Sequence, residues 1–216
     1  MNDIIRLFYR INFPLIFLLV YFFGFCLILR RNQRQLEILK QQLQKKDIDV
    51  SEHLKLLEQY EKKHPLSQEC STLRLMMISD LVILQKKDDI DRYIRKIRAV
   101  DIHHSAVGNI ILALLFLKEY GYQSEYKRLK VKFERKYKPL QNDLYQALIQ
   151  ENVTIDCFLK ELPSNLPTVV KAIVDYYWGV DDRQKEDFDM AKKHFSDAAK
   201  AVPLLTALLN RNGYAT

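Results

Sequence analysis

Glycine and proline are scarce in this chain, which has 5 Gly and 6 Pro among 216 residues. Folds built from many β-turns need more of both residues. Hydrophobic residues make up 48% of the chain and charged residues 28%, a balance that suits a packed body rather than a disordered one. The composition therefore predicts an all-α fold of helices joined by short turns.

Cysteine is also rare, and the three that occur, Cys26, Cys70 and Cys157, form no C-x-x-C pair. Their wide spacing and odd number argue against a disulfide framework and favour a reducing compartment. We expect Cys70 and Cys157 to be buried small hydrophobic residues.

The motifs that carry common enzyme chemistry are missing. The sequence has no Gly-rich phosphate loop, no G-x-S-x-G and no H-E-x-x-H. His103 and His104 are adjacent, so on a helix they point to different faces and cannot share a zinc ion. Asp88, Asp89 and Asp91 lack the Gly and the final Glu of a calcium loop. We therefore expect no enzyme activity, no metal and no cofactor.

One long hydrophobic run stands near the N-terminus, in INFPLIFLLVYFFGFCLILRRNQR (11–34). No charged residue occurs from Phe13 to Leu29. A helix of roughly 17–19 residues spans a hydrocarbon core of about 30 Å. A cleaved signal peptide would have a shorter apolar region followed by small residues. We predict an N-terminal flank (1–11) and a transmembrane helix (12–30).

The charges beside this run predict its orientation. Arg6 and Arg10, offset by Asp3, precede it, whereas six cations follow: Arg30, Arg31, Arg34, Lys40, Lys45 and Lys46. The positive-inside bias favours a single-pass cell-membrane protein whose C-terminal domain is cytoplasmic. The reverse topology stays open, with the same domain outside the cytoplasm as an envelope assembly or chaperone-like factor. Arg30, Arg31 and Arg34 are candidate contacts for anionic lipid headgroups.

Residues 31–63 predict a helical stalk or linker. Leu36, Leu39 and Leu43 form a narrow apolar stripe that is too short for a coiled coil. Oligomeric state is therefore not indicated. Ser51 is a candidate cap for a second helix within this segment.

The rest of the chain, 64–216, reads as paired helices. Apolar residues recur at helical spacing in segments separated by turn residues. The predicted helices are 71–87, 90–100, 104–121, 124–138, 143–151, 154–162, a final pair, and a terminal helix at 204–212.

The clearest internal pattern lies at about 170–203, which contains DYYWGVDDRQKEDFDMAKKHFSDAAKAVP (175–203). Its small, aromatic and proline positions are Gly179, Ala191, Phe195, Ala198 and Pro203. This spacing resembles the tetratricopeptide repeat (TPR), in which small residues let two helices approach and an aromatic fills the groove. Asp182 departs from the pattern, because the family prefers an aromatic there. Ile90 and Leu129 replace the small residue in the earlier pairs.

The resemblance implies an α-solenoid whose first helices line a concave surface that binds a protein partner. With the anchor, it implies a non-catalytic scaffold or adaptor that recruits or assembles a partner, such as a membrane complex, at the membrane. Tyr176, Tyr177 and Trp178 are candidate partner-binding residues, because one core position does not need three aromatics.

A basic stretch, YKRLKVKFERKYK (126–138), supports an alternative function. Interleaved cations and aromatics can bind anionic lipid or nucleic acid. However, Leu129, Phe133 and Tyr137 recur as a core-facing stripe would. A membrane-tethered domain favours lipid headgroups or an acidic protein over nucleic acid.

Overall fold

The computed structural model describes residues 17–31, 33–35, 37–38, 49–63, 70–98, 106–134, 148 and 166–214. In these ranges all regular structure is helical, so the all-α prediction is confirmed for the part of the chain described. We number the helices α1 (residues 17–31), α2 (Val50–Lys63), α3 (Cys70–Ile83), α4 (Lys87–Lys96), α5 (Val107–Glu119), α6 (Gln123–Glu134), α7 (Thr168–Gln184), α8 (Phe188–Ala201) and α9 (Leu205–Arg211).

The chain divides into two compact units, Met1–Asp47 and Ile48–Thr216. In the first unit, α1 covers most of the predicted transmembrane segment, while residues 12–16 lie outside the described ranges. The large apolar side chains of α1 are exposed, with Phe17 at 69% and Tyr21 at 70%. None of the helices in the described ranges has the length and apolar character needed to cross a membrane.

The second unit is built from helix pairs. α3 packs against α4, α5 against α6, and α7 against α8. The pairs are stacked through their first helices, because α5 contacts both α3 and α7. The second helices α4 and α6 also touch each other. The prediction of packed helix pairs is therefore confirmed.

The same turn closes the three hairpins in the described ranges. Each has one residue in the left-handed region, at Gln85 (φ 55°), Gly121 (φ 81°) and Glu186 (φ 64°). In each, the next residue donates its backbone N–H to a carbonyl five positions earlier, for example Lys86 to Leu81 at 2.9 Å and Asp187 to Asp182 at 2.9 Å. These bonds satisfy carbonyls that a helix end leaves unpaired. Consequently the second helix begins two residues after the left-handed residue in every hairpin.

The first two hairpins bury their first helices almost completely. In α5, the residues from Ile110 to Leu117 are all buried. Ten of the fourteen residues of α3 are buried as well. An open concave surface lined by first helices, which the resemblance implied, is thus not found at α3 and α5, because neighbouring helices cover them.

One of those neighbours is α2, which we expected to belong to the stalk. It packs on α3 within the second compact unit, and Leu54, Leu57 and Tyr60 on one of its faces are buried. The expectation of a stalk extending through residue 63 is therefore corrected: the apolar side of α2 is used in the core. Most of residues 32–48 lies outside the described ranges.

Two other boundaries differ from the expectation. The turn of the first hairpin occurs at residues 84–86, not at Asp88–Asp89, which lie in the first turn of α4, where acids favour a helix N-terminus. The predicted helices 143–151 and 154–162 lie outside the described residues, apart from Leu148.

Candidate functional site

The third hairpin contains a close approach between its two helices at Gly179. A Cβ atom built on Gly179 would lie 2.6 Å from two ring carbons of Phe195, closer than real side chains allow. The Phe195 ring on α8 therefore occupies the space that a side chain at position 179 would need. This is why α7 requires glycine here, although glycine weakens a helix interior by roughly 1 kcal/mol.

The other small residues of the pattern are buried on the second helix of the hairpin. Ala191 and Ala198 on α8 are 3% and 0% exposed. The α8 helix begins after Asp187, whose side chain accepts a hydrogen bond from the Met190 N–H at 3.2 Å. Pro203, which follows its end, is half-buried. Gly179 and Phe195 therefore meet in one hairpin, while the packing role of the other positions and the assignment to the TPR family stay predictions.

Tyr176 is a core residue rather than a surface aromatic. It is 1% exposed, and its hydroxyl accepts a hydrogen bond from the Asn212 amide at 3.0 Å. The same amide donates to Glu119 at the end of α5, at 3.1 Å. Burial raises the pKa of Tyr176, and the nearby Glu119 carboxylate acts in the same direction. Tyr176 thus joins three elements and has no surface to offer a ligand.

Tyr177 and Trp178 are half-buried and differ from Tyr176 in this respect. Trp178 packs against Val170 and Val174, and its ring centroid lies 5.2 Å from that of His194. Burial raises the pKa of Tyr177 above its usual range. Of the three candidate partner-binding residues, these two keep part of their surface accessible.

His194 on α8 lies between two carboxylates of α7. Its Nδ1 is 3.5 Å from Asp175 Oδ1, and its Nε2 is 3.6 Å from Asp182 Oδ2. Burial raises the pKa of Asp175, with the neighbouring His194 partly opposing this effect. Asp182, which departs from the family pattern, is therefore used in a polar contact between the two helices.

The C-terminal segment covers Phe195 from the other side. The Tyr214 ring stacks on Phe195 with centroids 4.9 Å apart, and the Arg183 guanidinium lies 4.7 Å from the Tyr214 ring. Arg183 also donates to the Gly213 carbonyl at 3.1 Å. Sequence reasoning missed this stack, since nothing in the spacing links residues 183, 195 and 214.

A second feature that sequence reasoning missed is a side-chain contact between α2 and α3, made by His53 and Asp80. Asp80 is fully buried and its Oδ2 contacts Nδ1 of His53. Burial raises the pKa of the Asp80 carboxyl, and the hydrogen bond from His53 partly opposes this. The signal was an aspartate inside the apolar run LMMISDLVIL, which requires a partner.

Two cations of the basic helix α6 contact the neighbouring helix α4. Arg128 pairs with Asp91 on α4, and Lys132 donates to the Ile94 carbonyl at 2.7 Å. Its aromatics Tyr126 and Phe133 are buried. Residues 135–138 lie outside the described residues. An array of aromatics and cations open to bases is therefore not seen on α6.

The candidate lipid contacts Arg30, Arg31 and Arg34 are exposed. Within the described ranges, no group of three His, Cys, Asp or Glu side chains is arranged to hold a metal ion. Cys70 is buried and Cys26 is half-buried. His103, His104 and Cys157 lie outside the described residues.

Comparison with known proteins gives no relative. No protein-family profile, curated protein or solved structure matches this chain.

Proposed function

We propose that this protein is a membrane-anchored, TPR-like scaffold without catalytic activity, which recruits or assembles a protein partner at the membrane. The observation that carries the proposal is the close contact of Gly179 with Phe195, in the last of three stacked hairpins that share one turn geometry. Stacked helix pairs of this kind use their surfaces to bind peptides or helices.

The anchor is proposed from the sequence of the apolar run and from the side chains of α1. Nearly all large apolar residues of α1 are exposed, from 46% at Leu29 to 70% at Tyr21. Exposed contiguous apolar surface of this size is unfavourable in water and is typical of a membrane or protein contact. The cations that follow favour a cytoplasmic C-terminal unit.

The partner surface is proposed on the third hairpin, because α3 and α5 are covered. Tyr177 and Trp178 on α7 are half-buried, and Phe188 and Met190 at the start of α8 are 63% and 41% exposed. Aromatic side chains with accessible surface are enriched at the centres of protein interfaces.

Photocrosslinking in cells tests the partner. A photoreactive amino acid at Trp178 or Phe188 should give one discrete crosslinked species in the membrane fraction, and deletion of residues 12–30 should move that species out of this fraction. The matched control is the same probe at the exposed Lys192. Absence of a species at 178 and 188, or equal yield at 192, would contradict the scaffold proposal.

Thiol labelling of intact cells tests the topology. Single cysteines at Asn2 and at Ser124 are treated with a membrane-impermeant reagent. Labelling at position 2 alone would support the cytoplasmic scaffold. Labelling at position 124 alone would support the reverse topology, in which the unit acts as an envelope assembly or chaperone-like factor.

A further inference from the structure

In the described part of the second compact unit, the positive charge is concentrated on two adjacent helices. Residues 86–98, which contain α4, carry six cations and three acids, and α6 carries four cations and two acids. The other described ranges of this unit, 49–63, 70–83, 106–119 and 166–214, carry twelve cations and thirteen acids. The excess charge therefore belongs to α4 and α6, the second helices of the first two hairpins.

These helices present their cations together. α4 and α6 are in contact, and Arg95 and Arg128 both pair with Asp91, so that two cations share one carboxylate. The exposed cations of this surface, which we call the basic face, are Arg92, Arg95, Lys96, Arg98, Lys127 and Arg128. Acids on the same helices offset only half of the cationic charge, so the basic face remains positive.

We propose that the basic face lies on an anionic phospholipid bilayer. Clusters of Lys and Arg bind acidic lipid headgroups through the negative surface potential of the membrane. Val131 follows Lys127 and Arg128 by one turn of α6 and has 42% of its surface accessible, which makes it an apolar side chain suited to the boundary between headgroups and acyl chains.

The aromatic side chains of these two helices favour lipid over nucleic acid. Single-stranded nucleic acid is usually bound by exposed aromatic rings on which bases stack. Tyr93, Tyr126 and Phe133 are 3%, 4% and 1% exposed, so none of these rings is available to a base. Attachment to an anionic bilayer requires cations and an apolar side chain, and the basic face has both.

This inference rests on the proposed anchor, because tethering by the anchor would strengthen the binding of the basic face to the bilayer. The 19 residues from Arg31 to Asp49 span at most about 65 Å even when fully extended. An inserted α1 would hold the second unit within this distance of the headgroups, and tethering raises the effective concentration of a weak binding surface.

The test uses the full chain mixed with vesicles of phosphatidylcholine alone or with added phosphatidylserine. Flotation reports attachment, and energy transfer from a donor dye at Ser124→Cys to acceptor lipids in the headgroup layer reports how near α6 lies to the bilayer. The chain without the added cysteine corrects for labelling of native thiols. We expect flotation with both compositions, and energy transfer that increases with phosphatidylserine and decreases with salt.

Charge reversal tests whether the basic face makes the contact with the bilayer. Arg92→Glu with Lys127→Glu should lower the phosphatidylserine-dependent part of the energy transfer at least about tenfold, because each cation near an anionic surface contributes a factor of roughly five. The matched control, Lys192→Glu with Lys193→Glu on α8, should leave it unchanged. If the reversed protein unfolds by circular dichroism, Arg92→Gln with Lys127→Gln provides the milder comparison.

The outcomes separate this inference from the anchor. Flotation with both compositions and equal energy transfer would keep the anchor and overturn the basic face. Flotation only with phosphatidylserine, lost on reversal at 92 and 127, would overturn the anchor and support the face. Flotation with neither composition would overturn both. RNA binding that is lost on the same reversal, with no dependence on phosphatidylserine, would replace the lipid proposal.

Discussion

The first and third hairpins close with the same turn but fill the space between their helices differently. Counting from the left-handed residue, Gln85 or Glu186, the positions of Gly179 and Phe195 correspond to Ile78 and Ile94 in the first hairpin. Both isoleucines are buried. The third hairpin thus has a glycine that faces a large ring, whereas the first has two buried, branched aliphatic side chains at the corresponding positions.

The difference shows that turn geometry and groove filling are encoded separately. The left-handed residue and the backbone bond that follows it determine where the second helix begins. In the third hairpin the groove is filled from the positions seven before and nine after that residue, Gly179 and Phe195. A search for the small residues alone therefore detects only the third hairpin.

Exchanging the groove residues tests this comparison with the largest expected effect. Gly179→Ile places a branched side chain against the Phe195 ring and should lower the free energy of unfolding by about 3 kcal/mol. Adding Phe195→Ile recreates the combination of the first hairpin and should recover at least about 1 kcal/mol relative to the sum of the single changes. Chemical denaturation followed by circular dichroism measures both. Strictly additive losses would mean that Gly179 and Phe195 do not share one space.

The two hairpins also differ in the segment that packs over them. The first hairpin is covered by α2, which is joined to it by the His53–Asp80 contact. His53→Ala should cost about 2 kcal/mol at neutral pH, since Asp80 loses its partner. The exposed pair of Lys185 with Asp181 in the third hairpin is the control, and Lys185→Ala should cost no more than about 0.5 kcal/mol.

The loss at His53 should depend on pH. Because the folded pKa of Asp80 is raised, its contribution to stability is complete below its ordinary pKa of 3.8 and is lost as pH rises through the folded value. Without His53 that pKa rises further. The stability difference between wild type and His53→Ala should therefore shrink as the pH falls from 7 towards 4. A difference that does not change with pH would contradict the buried carboxylate as its cause.

The third hairpin is covered by the C-terminal segment instead, and Tyr176→Phe tests that cover. The change removes one hydrogen bond but leaves Asn212 bonded to Glu119, so we expect a loss of about 1 kcal/mol in thermal unfolding. Tyr21→Phe on the exposed surface of α1 is the control and should have no effect. An unchanged thermal stability of Tyr176→Phe would show that the hydrogen bond of the hydroxyl adds nothing to the stability that the packed ring provides.

The smallest effect concerns the shared turn. Gly121→Ala forces a side chain into the left-handed region and should cost about 1 kcal/mol. Gln85→Gly relieves the same cost but increases the entropy of the unfolded chain, so the net change should stay within about 0.5 kcal/mol. Denaturation midpoints of the two variants measure the difference. If Gln85→Gly and Gly121→Ala changed the free energy of unfolding equally, the two hairpins would not share a common turn.

The sequence predicts the helices well where hydrophobic periodicity and turn residues agree. The α5 and α6 helices and their Gly121 turn lie close to the predicted bounds. The turn of the first hairpin was misplaced because Gln85 takes the left-handed conformation without being Gly, Asn or Asp, and the aspartates of α4 looked like turn residues.

Residues that meet only through tertiary packing could not be found in this way. The stripe on α2 resembles a stalk until α3 is placed beside it. Tyr176 and Trp178 are two positions apart and looked equally suitable for a partner, yet the bond from Asn212 makes Tyr176 part of the core. The basic run was visible in the sequence, but the acid that Arg95 and Arg128 share lies on a different helix from Arg128.

The position of His53 has a consequence for mechanical force. Any tension applied through the N-terminal segment enters the second unit at α2, so the His53–Asp80 pair is the first buried polar contact to experience the pull. Detachment of α2 would uncover the part of α3 on which it packs. We therefore expect a pull on the N-terminal segment to expose this surface before the hairpins themselves unfold.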